Sequence, residues 1–195
     1  MISTRVSLSM AETRIATFDQ AVPLDDAALR VALERHHLES HGWALHCCGR
    51  RRDEAENVLQ LSYLKILRGK AVFEGRSSFK TWLFSVIRRT AAAERRADFL
   101  RHLRLAGMSR SQRPATLASG SDPLERDQAR EQLEAALRAL PTRQRDVMHL
   151  VFYQDVSIAD AAVVMGVSLG SARTHYERAK RRIRQLLETR LERDT

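Results

Sequence analysis

The chain has 195 residues, 44% of them hydrophobic and 29% charged, a balance that suits one folded domain or two small ones and excludes a disordered chain. Thirty-three Lys and Arg stand against 24 Asp and Glu, a formal net charge of +9, which favours a polyanionic partner. No apolar run nears the roughly 18 residues of a membrane span; Glu12, Arg14 and Asp19 break up the start of the chain, unlike a signal peptide. The two cysteines, Cys47 and Cys48, are adjacent and make no disulfide framework, so a cytoplasmic protein without membrane partners is expected.

In chain order, residues 1–23 read as a loosely ordered N-terminal extension. Met1 to Ser40 holds four basic and six acidic residues. The next unit, 24–105, reads as helical. Ala55, Val58, Leu59, Ser62, Tyr63, Ile66 and Leu67 form one apolar stripe at helical spacing, and so predict the buried face of a helix. A second stripe runs through Phe79, Trp82, Leu83, Val86, Ile87, Thr90 and Ala91, with Gly69 and Gly75 bracketing the connection. Phe79 and Trp82 are thereby expected in the core. Lys80, Arg88, Arg89, Arg95 and Arg96 fall mostly off this stripe. From Lys65 to Arg104, eleven basic residues face three acidic ones, the first of two basic blocks.

Residues 106–124 read as a linker, since Ala106 to Asp122 is rich in Ser, with Gly and Pro and little apolar periodicity. The unit at 125–190 is again helical. Asp127 to Leu140 reads as a helix closed by Pro141, which starts the next helix, ending near Phe152. In Ser157 to Arg182, Ser157 is placed to N-cap a helix with Asp160 at N3. Gly166 suits the left-handed turn that ends it, and Ser168 caps a second helix. Leu169, Ala172, Tyr176, Ala179, Ile183 and Leu186 form the buried side of that helix. Ser171, Arg173, Thr174, His175 and Arg178 lie away from it, where a recognition helix meets base edges in a major groove. Arg173 or Arg178 suits guanine, and Thr174 a thymine methyl or a phosphate. Lys180, Arg181 and Arg182 suit phosphate neutralisation or solvation of the helix end. Ser171 to Arg184, with six basic residues and one acid, is the second basic block. No segment alternates like a strand, and the expected fold class is all-α.

The stretch Leu133 to Leu187, with Leu140-Pro141, Gln144-Arg145, Ser157, Gly166, Ser168 and Gly170, resembles region 4 of bacterial sigma factors of the extracytoplasmic-function group. EAENVLQLSYLKI (Glu54 to Ile66) and FKTWLFSVIRR (Phe79 to Arg89) are similar to two segments of region 2 in the same family. The resemblance implies two small helical domains, no enzymatic activity and no cofactor. Its implied partners are core RNA polymerase, through the β′ and β subunits, and promoter DNA. An anti-sigma factor or a regulatory kinase is a further partner consistent with it. The helix with Ser171, Arg173, Thr174, His175 and Arg178 would then read the upstream promoter element. Glu74, Gly75, Arg76 and Ser77, in the loop 72–78, with Lys80, Arg88, Arg89, Arg95 and Arg96, would hold the single strand of the downstream element. Glu56, Asn57, Gln60, Leu61 and Leu64 would face the polymerase coiled coil. Asn57 and Leu61 stand where the family often has acids, which should weaken docking unless a kinase acting on Ser62 or Tyr63 restores charge. Arg89 and Ala93 stand where the family has Asn and often Asp.

Two other readings stay open from the residues: a stand-alone helix-turn-helix regulator, and a protein-binding module that sequesters a polymerase or regulator component. His46, Cys47 and Cys48, beside His36, His37 and His41, lack the paired spacing of a zinc site, and read as packing residues.

Overall fold

The computed structural model describes residues 25–106 and 133–191. The expectations for 1–23, for linker residues 107–124 and for the helix start at Asp127 lie outside the described residues. Every regular element within them is a helix: α1 Asp26–Arg35, α2 His37–Cys47, α3 Arg52–Leu67, α4 Phe79–Ala106, α5 at 133–138, α6 Thr142–Phe152, α7 Ile158–Met165 and α8 Leu169–Leu191. The fold is all-α, as the periodicity implied.

Helix ends follow local chemistry. The Asp25 side chain accepts from the Ala28 amide at 2.7 Å and starts α1. Ser157 accepts from the Asp160 amide at 3.0 Å, and Gly166 ends α7 at φ 63°. Ser168 accepts from the Ser171 amide at 3.1 Å and opens α8. These bonds satisfy amides that a helix leaves unpaired at its start. The three sequence signals for the helix-turn-helix therefore act where expected.

Packing organises around α4, which contacts α2, α3 and α7. A single buried cluster runs from Leu33, Trp43, Val58 and Ile66 through Leu83, Phe84 and Ile87 to Val147, Leu150, Val164 and Met165. It joins the N-terminal helices to α6 and α7. A smaller cluster of Leu140, Met148, Ala179 and Ile183 holds α8. Both apolar stripes and the expected buried side of α8 are largely covered, but Leu67 and Leu169, at helix ends, are 45% and 39% exposed. Phe84, which lies off the second stripe, is fully buried. Its stripe was read for a helix covered on one side, whereas α4 is covered on a second side by α7. Near its C-terminal end, α4 exposes Phe99, Leu100 and Leu103.

Trp43 is the joint of this arrangement. It is fully buried, its indole Nε1 donates to the Phe84 carbonyl at 3.0 Å, and its ring stacks on His46, Phe84 and His149. Truncating such a side chain leaves a cavity and removes the bond that ties α2 to the Phe84 carbonyl. Trp43→Ala is expected to lower unfolding stability by about 3–5 kcal/mol, measured by urea denaturation. Gly166→Ala meets no atom within 4 Å but must hold a positive φ, and is expected to cost about 1–2 kcal/mol.

Candidate nucleic-acid interface

The α8 surface is built by packing on one side and exposure on the other. Ala172, Ala179 and Ile183 are buried against α6 and α7, with Tyr176 half-buried. Ser171, Arg173, Thr174 and Arg178 are exposed and His175 is half-buried. The Thr174 hydroxyl donates to the Gly170 carbonyl at 2.9 Å, and the Ser171 and Ser168 hydroxyls lie 2.9 Å apart. These local bonds leave the arginines as the long-reaching donors of the face. Arg178, Arg181 and Arg182 also border, with Pro141, Gln144 and Gln185, a shallow cavity of about 260 Å³.

The loop before α4 and the length of α4 hold the second set. Gly75 sits at φ 69°, Glu74 and Arg76 form an exposed ion pair at 2.9 Å, and Ser77 is half-buried. Arg89, Arg95 and Arg96 are exposed. Arg95 donates to the Cys47 carbonyl at 2.6 Å, while Arg89 donates back to the carbonyl and hydroxyl of Ser85, each at 3.2 Å. Lys80 and Arg88 are placed differently from the rest. Lys80 Nζ donates to Glu39 Oε1 at 2.7 Å and to the Gln154 carbonyl at 2.6 Å. Arg88 donates to the Met165 carbonyl at 3.1 Å and to Asp146 Oδ2 at 3.3 Å. Both lie in the seam between α4 and the C-terminal helices, so the nine residues do not form one open track in this packing.

The third set lies along α3. Glu56, Asn57, Gln60 and Leu64 are exposed and Leu61 is half-buried. Ser62 is fully buried, and its hydroxyl donates to the Val58 carbonyl at 2.7 Å. A kinase has no access to it in this packing. Tyr63 is half-buried, its hydroxyl 3.3 Å from His37 Nδ1.

The histidines and cysteines near residue 46 belong to the seam. No three His, Cys, Asp or Glu side chains among the described residues are arranged to hold a metal. His46 Nε2 instead donates to Asp146 Oδ1 at 3.0 Å and stacks on Trp43 and His149. Burial pushes the Asp146 carboxyl up, but His46 and Arg88 outweigh it and hold it below the usual carboxylate range. Burial also drives His149 down to about 3, with His46 and Arg50 adding in the same sense and Asp146 opposing. The His149 Nε2 position 3.2 Å from Gln154 Nε2 suits a neutral ring accepting from the amide. Burial pushes the Cys47 thiol far up, which leaves it unreactive at neutral pH. Sequence reasoning treated His46 as simple packing and did not single out Asp146 or His149. Their partners lie about a hundred residues away in the chain, and no local pattern marks such a pairing.

The sign of the His149 effect is fixed. The ring stays neutral when folded down to pH about 3, while the unfolded chain binds a proton below about 6.5. Stability is therefore lost as pH falls from 6.5 towards 3. Unfolding free energy is expected to drop by up to about 1.4 kcal/mol per pH unit in that window. His149→Leu should flatten that slope, as read from urea melts at pH 7, 6 and 5.

With this geometry established, comparisons with known proteins fix the family. Residues 32–98 match Sigma-70 region 2, and residues 130–183 match Sigma-70, region 4. The ECF RNA polymerase sigma factor SigX of Bacillus subtilis is 30% identical over 141 residues, 70% of this chain and 72% of that protein. The ECF RNA polymerase sigma factor SigC of Mycobacterium tuberculosis is 29% identical over 127 residues, 65% of this chain and 66% of that protein. The chain thus spans about two thirds of the length of SigC. The fold is also similar to that of the sigma factor RpoE in a co-crystal with the anti-sigma factor NepR from Bartonella quintana. That likeness has a TM-score of 0.62 at 24% identity and covers 82% of this chain and 96% of that one. The two matched regions stand in the right order and account for both the α3–α4 surface and the α7–α8 pair, so the chain belongs to the extracytoplasmic-function group of bacterial RNA polymerase sigma factors.

Proposed function

We propose that the chain binds core RNA polymerase through the exposed side of α3 and directs it to promoters through two separate basic surfaces. The observation that carries this reading is the capped α7–Gly166–α8 pair, whose second helix turns Arg173 and Arg178 to solvent on a chain whose other half presents Arg89, Arg95 and Arg96. In this reading Ser171, Arg173, Thr174, His175 and Arg178 meet the upstream element. Glu74 to Ser77, with Lys80, Arg88, Arg89, Arg95 and Arg96, meet the non-template strand of the downstream element. Residues 24–105 and 125–190 serve as the two working domains, 106–124 as their tether and 1–23 as an extension, in the cytoplasm.

The seam adds a condition to this mechanism. Lys80 and Arg88 are held by Glu39, Gln154, Asp146 and Met165, so they reach DNA only when the C-terminal helices leave α4. The α8 face needs no such release. The closed packing accordingly leaves upstream recognition intact while withholding part of the downstream surface. The similar RpoE is held by an anti-sigma factor in its co-crystal, and an anti-sigma protein acting on this chain would fit the same scheme by favouring a packed state.

Co-purification with core polymerase and promoter-dependent run-off transcription test the reading. A stand-alone regulator binds DNA without polymerase, and a sequestering module supports no transcript. Arg173→Ala is expected to cost about 1–3 kcal/mol of discrimination at one upstream base pair, measured by run-off on single-base promoter variants. A uniform loss across all variants would contradict base reading by Arg173. Asn57→Asp is expected to tighten core polymerase binding up to about fivefold, the effect of one exposed charge pair, by fluorescence titration. Unchanged or weaker binding would contradict the docking assignment of α3.

A further inference from the structure

His149 of α6 turns its ring toward the other half of the chain. The ring stacks on His46 and Trp43 of α2, at 4.1 and 5.5 Å between ring centres, and on Tyr153 beyond its own helix at 5.2 Å. Gln154 closes the site, with its side-chain amide 3.2 Å from His149 Nε2. A Cβ on Gly42 of α2 would stand 3.4 Å from that amide, so α2 packs against Gln154 as closely as against His149. The ring therefore sits where the two halves meet, and both must part before water reaches it.

The groups around the ring leave no place for a proton on it. Asp146 is the neighbouring carboxylate, but both its oxygens are taken, Oδ1 by His46 at 3.0 Å and Oδ2 by Arg88 of α4 at 3.3 Å. Arg50, in the turn after α2, is a further cation acting on the ring and lies 3.9 Å from Glu134 of α5. Lys80 of α4 is bonded to the Gln154 carbonyl and to Glu39 of α2. A proton on His149 would set a cation against the His46 ring and turn a donor toward the Gln154 amide, itself a donor. His46 differs, because its own bond to Asp146 gives a proton there a partner. The depressed proton affinity of the buried His149 ring agrees with this arrangement. Burial opposes it, but Lys80 and His36 hold the Glu39 carboxyl below the usual range, as His46 and Arg88 do for Asp146. Both carboxylates thus stay charged in mild acid, and His149 is the group whose charge conflicts with closure.

We propose that the seam is released by acid: a proton on His149 parts α6 from α2 and frees Lys80 and Arg88 for nucleic acid. The proposal rests on the promoter-binding reading above and adds to it a signal that uncovers the downstream surface. The ring touches Gln154, whose carbonyl holds Lys80, and His46, which shares Asp146 with Arg88. Both held cations are therefore within two contacts of the titrating ring. Once the halves part, His149 regains water and titrates near 6.5, so the open form binds the extra proton. The ratio of open to closed chain is expected to rise about tenfold between pH 7.5 and pH 5.5. Opening and unfolding draw on the same proton, and polymerase binding separates them, since the first favours it and the second removes it.

The test titrates core polymerase and promoter DNA with the full-length chain at pH 7.5, 6.5 and 5.5, beside the variants His149→Leu and His149→Gln. Polymerase and DNA respond to pH alike in all three titrations, so the ratio of affinities isolates the ring. The affinity of the unaltered chain relative to His149→Leu is expected to rise up to about tenfold from pH 7.5 to pH 5.5. His149→Gln should follow His149→Leu at every pH, and circular dichroism checks that each chain remains helical. A relative affinity that stays level or falls would overturn the proposal, while binding at pH 7.5 leaves the functional reading standing. A rise that His149→Gln shares would overturn it too, because the titrating group would then lie elsewhere. No complex with polymerase and promoter at any pH would overturn the functional reading and this proposal with it.

Discussion

Asp146 is a nearly buried carboxylate placed between His46 of α2 and Arg88 of α4, and the closed form of this protein depends on it. A charge so nearly buried must be paired. Both partners come from the N-terminal helices. The pairing therefore binds the two ends of the chain to one another more specifically than the surrounding apolar contacts do. Removing one partner alone would strand the others, a cost of about 3–5 kcal/mol. Separating the halves strands none of them, because all three groups then regain water. Such a seam is sensitive to the loss of any one partner, whereas opening it as a whole exposes the apolar surface that the two halves share.

The groups that close the seam are also groups that the proposed function needs. Arg88 binds the end of α7 through the Met165 carbonyl and binds Asp146 as well. Lys80 spans Glu39 and the Gln154 carbonyl. A side chain engaged in this way cannot also neutralise a phosphate. Closure and full downstream binding are thus exclusive by occupancy, with no need for a long-range signal. The α8 face is outside this competition, which gives the two basic blocks of the sequence different availability in the same structure.

Much of the fold was legible in the sequence because it rests on local rules. Ser157, Gly166 and Ser168 act through bonds or dihedral angles within a few residues, and the stripes on α3 and α4 follow helical period. The exposed position of Arg173 and Arg178 follows from the same period on α8. What was not legible depends on contacts between distant segments. Phe84 is buried because α7 covers a second side of α4, and no property of α4 alone announces that. Asp146 looks like any acid in a basic amphipathic helix until His46 and Arg88 meet it. Lys80 and Arg88 belong to the basic block by sequence, yet packing gives them intramolecular partners. Trp82 shows the intermediate case, since a residue on an apolar stripe still borders a cavity where the stripe reaches the edge of the bundle.

The distance between α3 and α8 tests the central claim most directly. Spin labels at Asp53 of α3 and Glu188 of α8, both exposed and outside the proposed polymerase and DNA faces, would be attached by chemistry that spares Cys47 and Cys48. Distances would be measured for the free chain and for the chain in a promoter complex with core polymerase. The account predicts one narrow, short distribution for the free chain and a longer one in the complex, with Asp146→Asn shifting part of the free population to the longer distance. The same short distance in both states would contradict it, since Lys80 and Arg88 would then remain covered while the promoter is engaged.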